Sequence, residues 1–245
     1  ETVAMMFDWV TVPGGPVGLE LDGFGRPPTV CSVEPFAILR YPVTNAQFAP
    51  FVEAGGYADR QWWTDAGWQA RTREAWHEPR YWYDPELKRP DLPVVGVSWY
   101  EASAFCRWVS ARNGQSVTLP TEAQWQRAAQ GDDGREFPWG GAEPDSTRCN
   151  WNREHDSTTP VTAFPAGASP FGVLDMAGNV WEWCASVWDS AEDIDARAQR
   201  VLRGGCWSSD SPFSLRAANR SASDPNTRQP PHTRDTRYGF RVVQG

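Results

Sequence analysis

Asp175-Met-Ala-Gly-Asn-Val-Trp-Glu-Trp-Cys184 is the stretch on which the reading of this chain turns. Asp175 and Glu182 are its only acids, Gly178-Asn179 is a turn dipeptide, and Trp181 and Trp183 bracket Glu182. A strand does not hide a carboxylate between two indoles unless something binds it. Either a cation or a set of buried donors is therefore expected at Glu182. The stretch sits in a longer segment from Gly172 to Gly205, where an acidic loop leads into Arg200-Val-Leu-Arg-Gly-Gly-Cys-Trp207.

The rest of the composition says what kind of molecule surrounds that segment. Gly and Pro number 21 each among 245 residues, so loops should outweigh regular elements. The 15 tryptophans supply large buried area per residue, which lets a loop-rich chain still build a core. A net charge of −8, with Lys88 the only lysine, argues against nucleic acid or an anionic membrane as the main partner. No run approaches the ~20 apolar residues that cross a bilayer, and no secretory signal opens the chain, so a cytoplasmic location is expected. Cys31, Cys106, Cys149, Cys184 and Cys206 form no C-x-x-C pair and leave an odd thiol, which reads as free thiols in a reducing compartment.

Taken in order, residues 6–39 alternate apolar runs with Gly/Pro turns and read as short strands, and Pro35 to Pro42 reads as another. Thr44 is placed to cap a helix that carries Phe48, Phe51 and Val52 on one face and closes at Gly55-Gly56. Residues 57–93 are aromatic but aperiodic and are expected to form an ordered loop region packed by its own rings. Ser98-Trp-Tyr-Glu101 and Thr121-Glu-Ala-Gln124 are capping boxes, each opening a helix, the first stopping at Gly114 and the second at Gly131. Beyond Gly131 only strands at Val201-Leu202 and Phe240-Arg-Val-Val243 stand out. No repeat or linker divides residues 1–245, so one loop-dominated α+β domain with about three helices is expected.

Seven motifs in fixed order resemble those of the formylglycine-generating enzyme (sulfatase-modifying factor) family. They are Arg40-Tyr-Pro-Val-Thr-Asn-Ala-Gln-Phe48, Val97-Ser-Trp-Tyr-Glu-Ala102, Leu119-Pro-Thr-Glu-Ala-Gln-Trp125, Phe137-Pro-Trp-Gly140, Gly178-Asn-Val-Trp-Glu-Trp183, Arg203-Gly-Gly205 and Gly239-Phe-Arg-Val242. The resemblance runs over residues 7–243 and implies a variant of the C-type lectin fold with little regular structure. It also implies a choice of activities. Formylglycine generators hold copper with two cysteines, ergothioneine-type sulfoxide synthases place this fold beside a helical domain whose three histidines hold iron, and other members only bind ligands. The generator's cysteine positions fall here on Ser209 and Ser214, and a hydroxyl is too weakly acidic to replace a copper thiolate. His77, His155 and His232 have no i, i+4 spacing. No catalytic residue and no catalytic metal are therefore expected, with the iron-dependent oxidoreductase kept as the alternative.

The family's calcium sites carry over better. Matched residue by residue, one structural calcium would take the side chains of Asp175 and Glu182 and the carbonyls of Gly178 and Val180; the competing reading leaves Glu182 hydrogen-bonded to backbone amides. A second site would begin at Asn150 and the Trp151 carbonyl, with a shortened downstream half at Arg153-Glu-His-Asp156. Residues 206–238 keep the family frame, but between its fixed points lie small polar residues of types that an asparagine codon yields by changes at adenines alone. That is the pattern of variable proteins diversified by retroelements. The expected ligand-binding residues are Trp207, Ser208, Ser209, Asp210, Ser211, Phe213, Ser214, Ser221, Ser223, Asp224, Asn226, Thr227 and Tyr238. Ser, Asp, Asn and Thr there offer adaptable hydrogen bonds, and Phe213 and Tyr238 rigid contact area. The partner expected is a protein or an exposed polar ligand, and Gln229 to Arg237 is read as a protruding arm or a disordered loop.

Overall fold

Three helices start where the sequence places caps, and each start is a reciprocal pair of bonds. Ser98 Oγ accepts from the Glu101 amide while Glu101 Oε2 accepts from the Ser98 amide at 2.7 Å. Thr121 and Gln124 repeat the arrangement, and so do Thr44 and Gln47. The computed structural model describes residues 7–21, 25–188, 198–220 and 225–245. Its strands and α-helices are β1 (Trp9–Val12), β2 (Gly15–Leu19), β3 (Thr29–Val33), β4 (Phe36–Leu39), α1 (Asn45–Glu53), α2 (Asp65–Arg73), α3 (Trp99–Asn113), β5 (Val117–Thr118), α4 (Glu122–Gln130), β6 (Trp181–Val187), β7 (Arg200–Arg203), β8 (Arg228–Gln229), β9 (Tyr238–Gly239) and β10 (Val243–Gln244).

The helix α2 corrects the expectation of an irregular loop over residues 57–93. Thr64 Oγ1 caps it by accepting from the Gly67 amide at 3.0 Å, Asp65 lies in its first turn and Arg71 and Arg73 in its last. The tryptophans around it, at 62, 63, 68 and 76, join one core but fall at spacings that draw no helical stripe. Past Gly131 the only helical elements among the described residues are short 3₁₀ turns, as expected.

Two four-stranded sheets frame the molecule, in the orders β1-β4-β10-β5 and β8-β7-β6-β9, and β2-β3 forms a separate hairpin. Residues 240–243, expected as one strand, pass between the two sheets. Tyr238 and Gly239 pair in parallel with Trp181 and Glu182, while Val243 pairs with Ile38 and Thr118. The crossing carries Phe240 into an aromatic core with Phe48 and Phe105, at ring-centroid distances of 6.2 and 5.6 Å. It also turns Arg241, wholly buried, toward β6. No helix among the described residues is long and apolar enough to span a membrane.

Candidate functional site

The carboxylate between the two indoles is held by a guanidinium. Arg241 donates from Nε to Glu182 Oε2 and from Nη2 to Oε1, each at 2.6 Å, and Trp125 Nε1 donates to Oε2 at 2.7 Å. Both partners of this forked pair are fully buried. Arg241 spends its remaining hydrogens on the carbonyls of Leu39, Arg40, Leu174 and Asp175, so one side chain ties β4, β6 and the 174–175 turn together. Of the two partners the sequence reading allowed, the structure supplies a cation of the chain's own. A second buried pair stands beside it: Glu122 on α4 receives Arg203 at 3.2 Å and Arg220 at 2.9 Å. Arg203 also donates to the carbonyls of Ala217 and Asn219, which fixes the C-terminal frame to β7 and α4.

The residues matched to calcium lie next to this pair. Asp175 adopts a left-handed backbone with φ 56°, and its Oδ2 accepts from Asn179 Nδ2 at 2.8 Å. Burial pushes its carboxyl up to about 7, against the pull of Asn179 and Arg241 and with the push of Glu182. Gly178 has φ 79°, and a β-carbon there would meet the Asn150 carbonyl oxygen at 2.3 Å, so only glycine fits the turn. The Gly178 carbonyl accepts from the Val180 amide at 2.8 Å. Asn179 joins the two expected metal sets, because Asn150 Nδ2 also donates to Asn179 Oδ1, at 3.3 Å. Asn150 Oδ1 is buried without a partner among the described residues. The donor chemistry thus fits a hard cation at Asp175 and Asn150, while Glu182 already has its charge balanced and keeps spare acceptor capacity at Oε1, which has a single partner among the described residues. Trp151 is half-buried, its carbonyl taken by the Glu154 amide at 3.1 Å.

The expected binding residues divide into two groups. Gly204 and Gly205, at φ 98° and 76°, turn the chain out of β7, and residues 206–214 then run across the surface. A β-carbon on Gly205 would lie 3.1 Å from the Ser214 carbonyl oxygen and 3.4 Å from Ser209 Oγ, so these two serines flank one glycine. Ser209 Oγ accepts from the Cys206 amide at 3.0 Å, and Ser208 Oγ lies 3.3 Å from Cys206 Sγ. Ser211 caps the short turn Pro212–Leu215 by accepting from the Phe213 amide at 3.3 Å. Asp210 and Ser211 are exposed, and Trp207, Ser208, Ser209, Phe213 and Ser214 are half-buried. Residues 152 and 153 brace the segment from below, with the Asn152 and Arg153 amides donating to Ser209 and Trp207 carbonyls at 2.8 Å each.

Thr227 and Tyr238 do not belong to an exposed face. Thr227 is completely buried, and Tyr238 is 2% exposed, its ring edge-on to Trp183 at 5.7 Å. The parallel pairing of β9 with β6 draws Tyr238 inward. Its hydroxyl reaches Asn226 Oδ1 at 3.4 Å, which leaves half-buried Asn226 beside the core. Ser221, Ser223 and Asp224 lie outside the described residues. The arm from Gln229 to Arg237 neither protrudes nor floats. Arg234 donates to the Gly96 and Glu78 carbonyls and pairs with buried Glu101 at 3.1 Å, and the Asp235 carbonyl accepts from the Gly96 amide at 2.9 Å.

All five cysteines are free, and Cys106, Cys149, Cys184 and Cys206 are buried. Burial holds the Cys149 thiol up at about 12, with Asp175 adding to the shift, and pushes Cys184 well above the ordinary thiol range. Among the described residues no three His, Cys, Asp or Glu side chains gather as a metal-binding group. Sequence reading missed Arg241, Trp125, Glu122 and Arg203 as parts of the site. The sign of them was their place inside the motifs Leu119 to Trp125, Arg203 to Gly205 and Gly239 to Val242.

The model of the sulfatase-modifying factor enzyme 1-like domain matches residues 1–245. The hercynine oxygenase of Mycolicibacterium smegmatis is 34% identical over 258 residues, covering 90% of this chain and 58% of that protein, so the chain spans little more than half of that relative. The formylglycine-generating enzyme of Thermomonospora curvata is 35% identical over 259 residues, with coverage of 80% and 81%. Treponema denticola variable protein 1 superposes with a TM-score of 0.73 at 19% identity, covering 100% of this chain and 97% of that one, a likeness of fold. The chain belongs to the sulfatase-modifying factor enzyme 1-like domain family.

Proposed function

We propose that this chain is a non-catalytic ligand-binding protein, with the 206–214 segment and Asn226 as its variable, ligand-facing surface. One observation carries the reading. At the two positions where formylglycine generators would present cysteines stand Ser209 and Ser214, which flank Gly205 through the Ser209 hydroxyl and the Ser214 backbone carbonyl, and Ser209 Oγ is already engaged by the Cys206 amide. A surface of serines, an aspartate and one phenylalanine suits a protein or exposed polar ligand. Calcium, held by Asp175, the Gly178 and Val180 carbonyls and Glu182, with Asn150 and Trp151 as a second set, is proposed as a structural cofactor. When bound it would supply positive charge to Asn150 Oδ1, which has no donor among the described residues, and to carboxylate and carbonyl oxygens with spare acceptor capacity. Free thiols agree with a cytoplasmic setting.

The test is metal analysis of the purified chain together with oxygen uptake in the presence of a thiol substrate and added copper or iron. Calcium alone and no uptake is the expected result. Stoichiometric copper or iron, or steady uptake, would overturn the reading. A reverse transcriptase gene and an adenine-rich template repeat beside the coding sequence are expected if the surface is retroelement-diversified, and their absence removes that part. The second reading, a family oxidoreductase, is favoured by the 34% identity to a hercynine oxygenase and the 35% identity to a formylglycine-generating enzyme.

A further inference from the structure

On another part of the molecule, the 232–234 arm and the end of α2 enclose a cleft of about 640 Å³ lined by Glu74, Trp76, Arg80, His232, Thr233 and Arg234. That volume is in the range of small-ligand sites. Its wall is rigid for reasons of its own. Arg234 lies 4.9 Å from the buried Trp76 ring and is held by Glu101 and by two backbone carbonyls, so its guanidinium is fixed before any ligand arrives. Those bonds use Nε and Nη2 and leave the Nη1 edge without a partner among the described residues. Arg80 reaches the arm through one bond, Nη1 to the Arg234 carbonyl at 3.3 Å, and packs 5.5 Å from the Tyr81 ring. It is exposed and forms no ion pair among the described residues.

Three of the four acids nearby are held in ion pairs, and the fourth, Glu78, takes the Tyr83 hydroxyl at 3.5 Å. Glu74 pairs with Arg73 and Asp235 with Arg237, each at 2.8 Å, and Glu101 with Arg234 at 3.1 Å. The cleft is therefore lined by two guanidinium groups, with Thr233 and His232 beside them and a single carboxylate, that of Glu74, which is paired with Arg73. In a chain of net charge −8, Arg80 here is a guanidinium without an ion pair among the described residues. Guanidinium edges held in fixed planes match the oxygens of a carboxylate or phosphate group better than they match any neutral ligand.

We propose that this cleft binds a small ligand through an oxyanion, gripped between Arg80 and the Nη1 edge of Arg234. The chain has three histidines, so the ring signals of His232 can be followed separately by NMR. Sodium phosphate and sodium succinate are titrated at constant ionic strength, with sodium chloride as the reference. Saturable movement of the His232 signals is expected with one of the two salts, and the tighter one names phosphate or carboxylate as the ligand's anion. His77, which sits against Arg71, should stay still. Arg80→Ala should weaken the binding by about tenfold or more, with an unchanged denaturation midpoint because Arg80 is exposed. Thr233→Val, which leaves both guanidinium groups in place, should weaken it less. No saturable movement with either salt, equal movement of His77, or an undiminished affinity in Arg80→Ala would overturn the proposal.

Discussion

Glu182 and Ser211 are both polar residues bonded within the chain, yet their partners lie at opposite extremes of range. Glu182 is bonded to Arg241, fifty-nine positions away, and to Trp125, fifty-seven away, in a fully buried forked pair. Ser211 bonds the amide two residues on, and Ser209 the amide three residues back. Long-range buried bonds join sheets and turns that otherwise have no reason to meet. Short-range surface bonds shape only their own turn. The difference sets a frame whose partners lie far apart in sequence against a surface segment whose side-chain bonds stay within three residues.

The largest effect should come from breaking the frame. Arg241→Ala leaves Glu182 buried without its counter-charge and should cost about 3–5 kcal/mol in urea denaturation. A loss below about 1 kcal/mol would mean that another cation carries the pair. Calcium removal comes next. If calcium occupies the Asp175 set, chelation should lower stability by about 2–3 kcal/mol when the ion had been present at a hundredfold excess over its dissociation constant. Asp175→Asn should make the midpoint insensitive to chelator, and wild-type protein equally insensitive would leave Arg241 as the sole counter-charge. Ser98→Ala, which deletes one bond of the α3 capping box, should cost about 1 kcal/mol, checked by the same denaturation curves.

How much of this was legible in the sequence follows the same division by range. The capping boxes at Ser98 and Thr121 and the Thr44 cap declared their helices because both halves of each bond lie within four residues. The helix α2 hid behind tryptophans at 62, 63, 68 and 76 that mask a helical period, although its Thr64 cap and terminal charges were present. Glu182 announced that it needed a partner but could not say which. That choice depends on the chain crossing from β9 to β10, and nothing local to Phe240-Arg-Val-Val243 shows that it serves two sheets. Tyr238 and Thr227 were read as exposed because their neighbours in sequence are small and polar, whereas burial follows from neighbours in the sheet. The arm from Gln229 to Arg237 was misread for the same reason, since its anchors, Gly96 and Glu101, lie more than a hundred and thirty residues earlier.

The central claim is that the frame holds the fold and the 206–214 surface is free to vary. It is tested most directly by the urea midpoint of a triple variant, Ser208→Asn, Asp210→Asn and Ser211→Thr, measured beside Arg241→Ala. The triple variant should stay within about 0.5–1 kcal/mol of the parent, while Arg241→Ala loses several times as much. A triple variant destabilised as severely as Arg241→Ala would make the surface part of the frame and contradict the account.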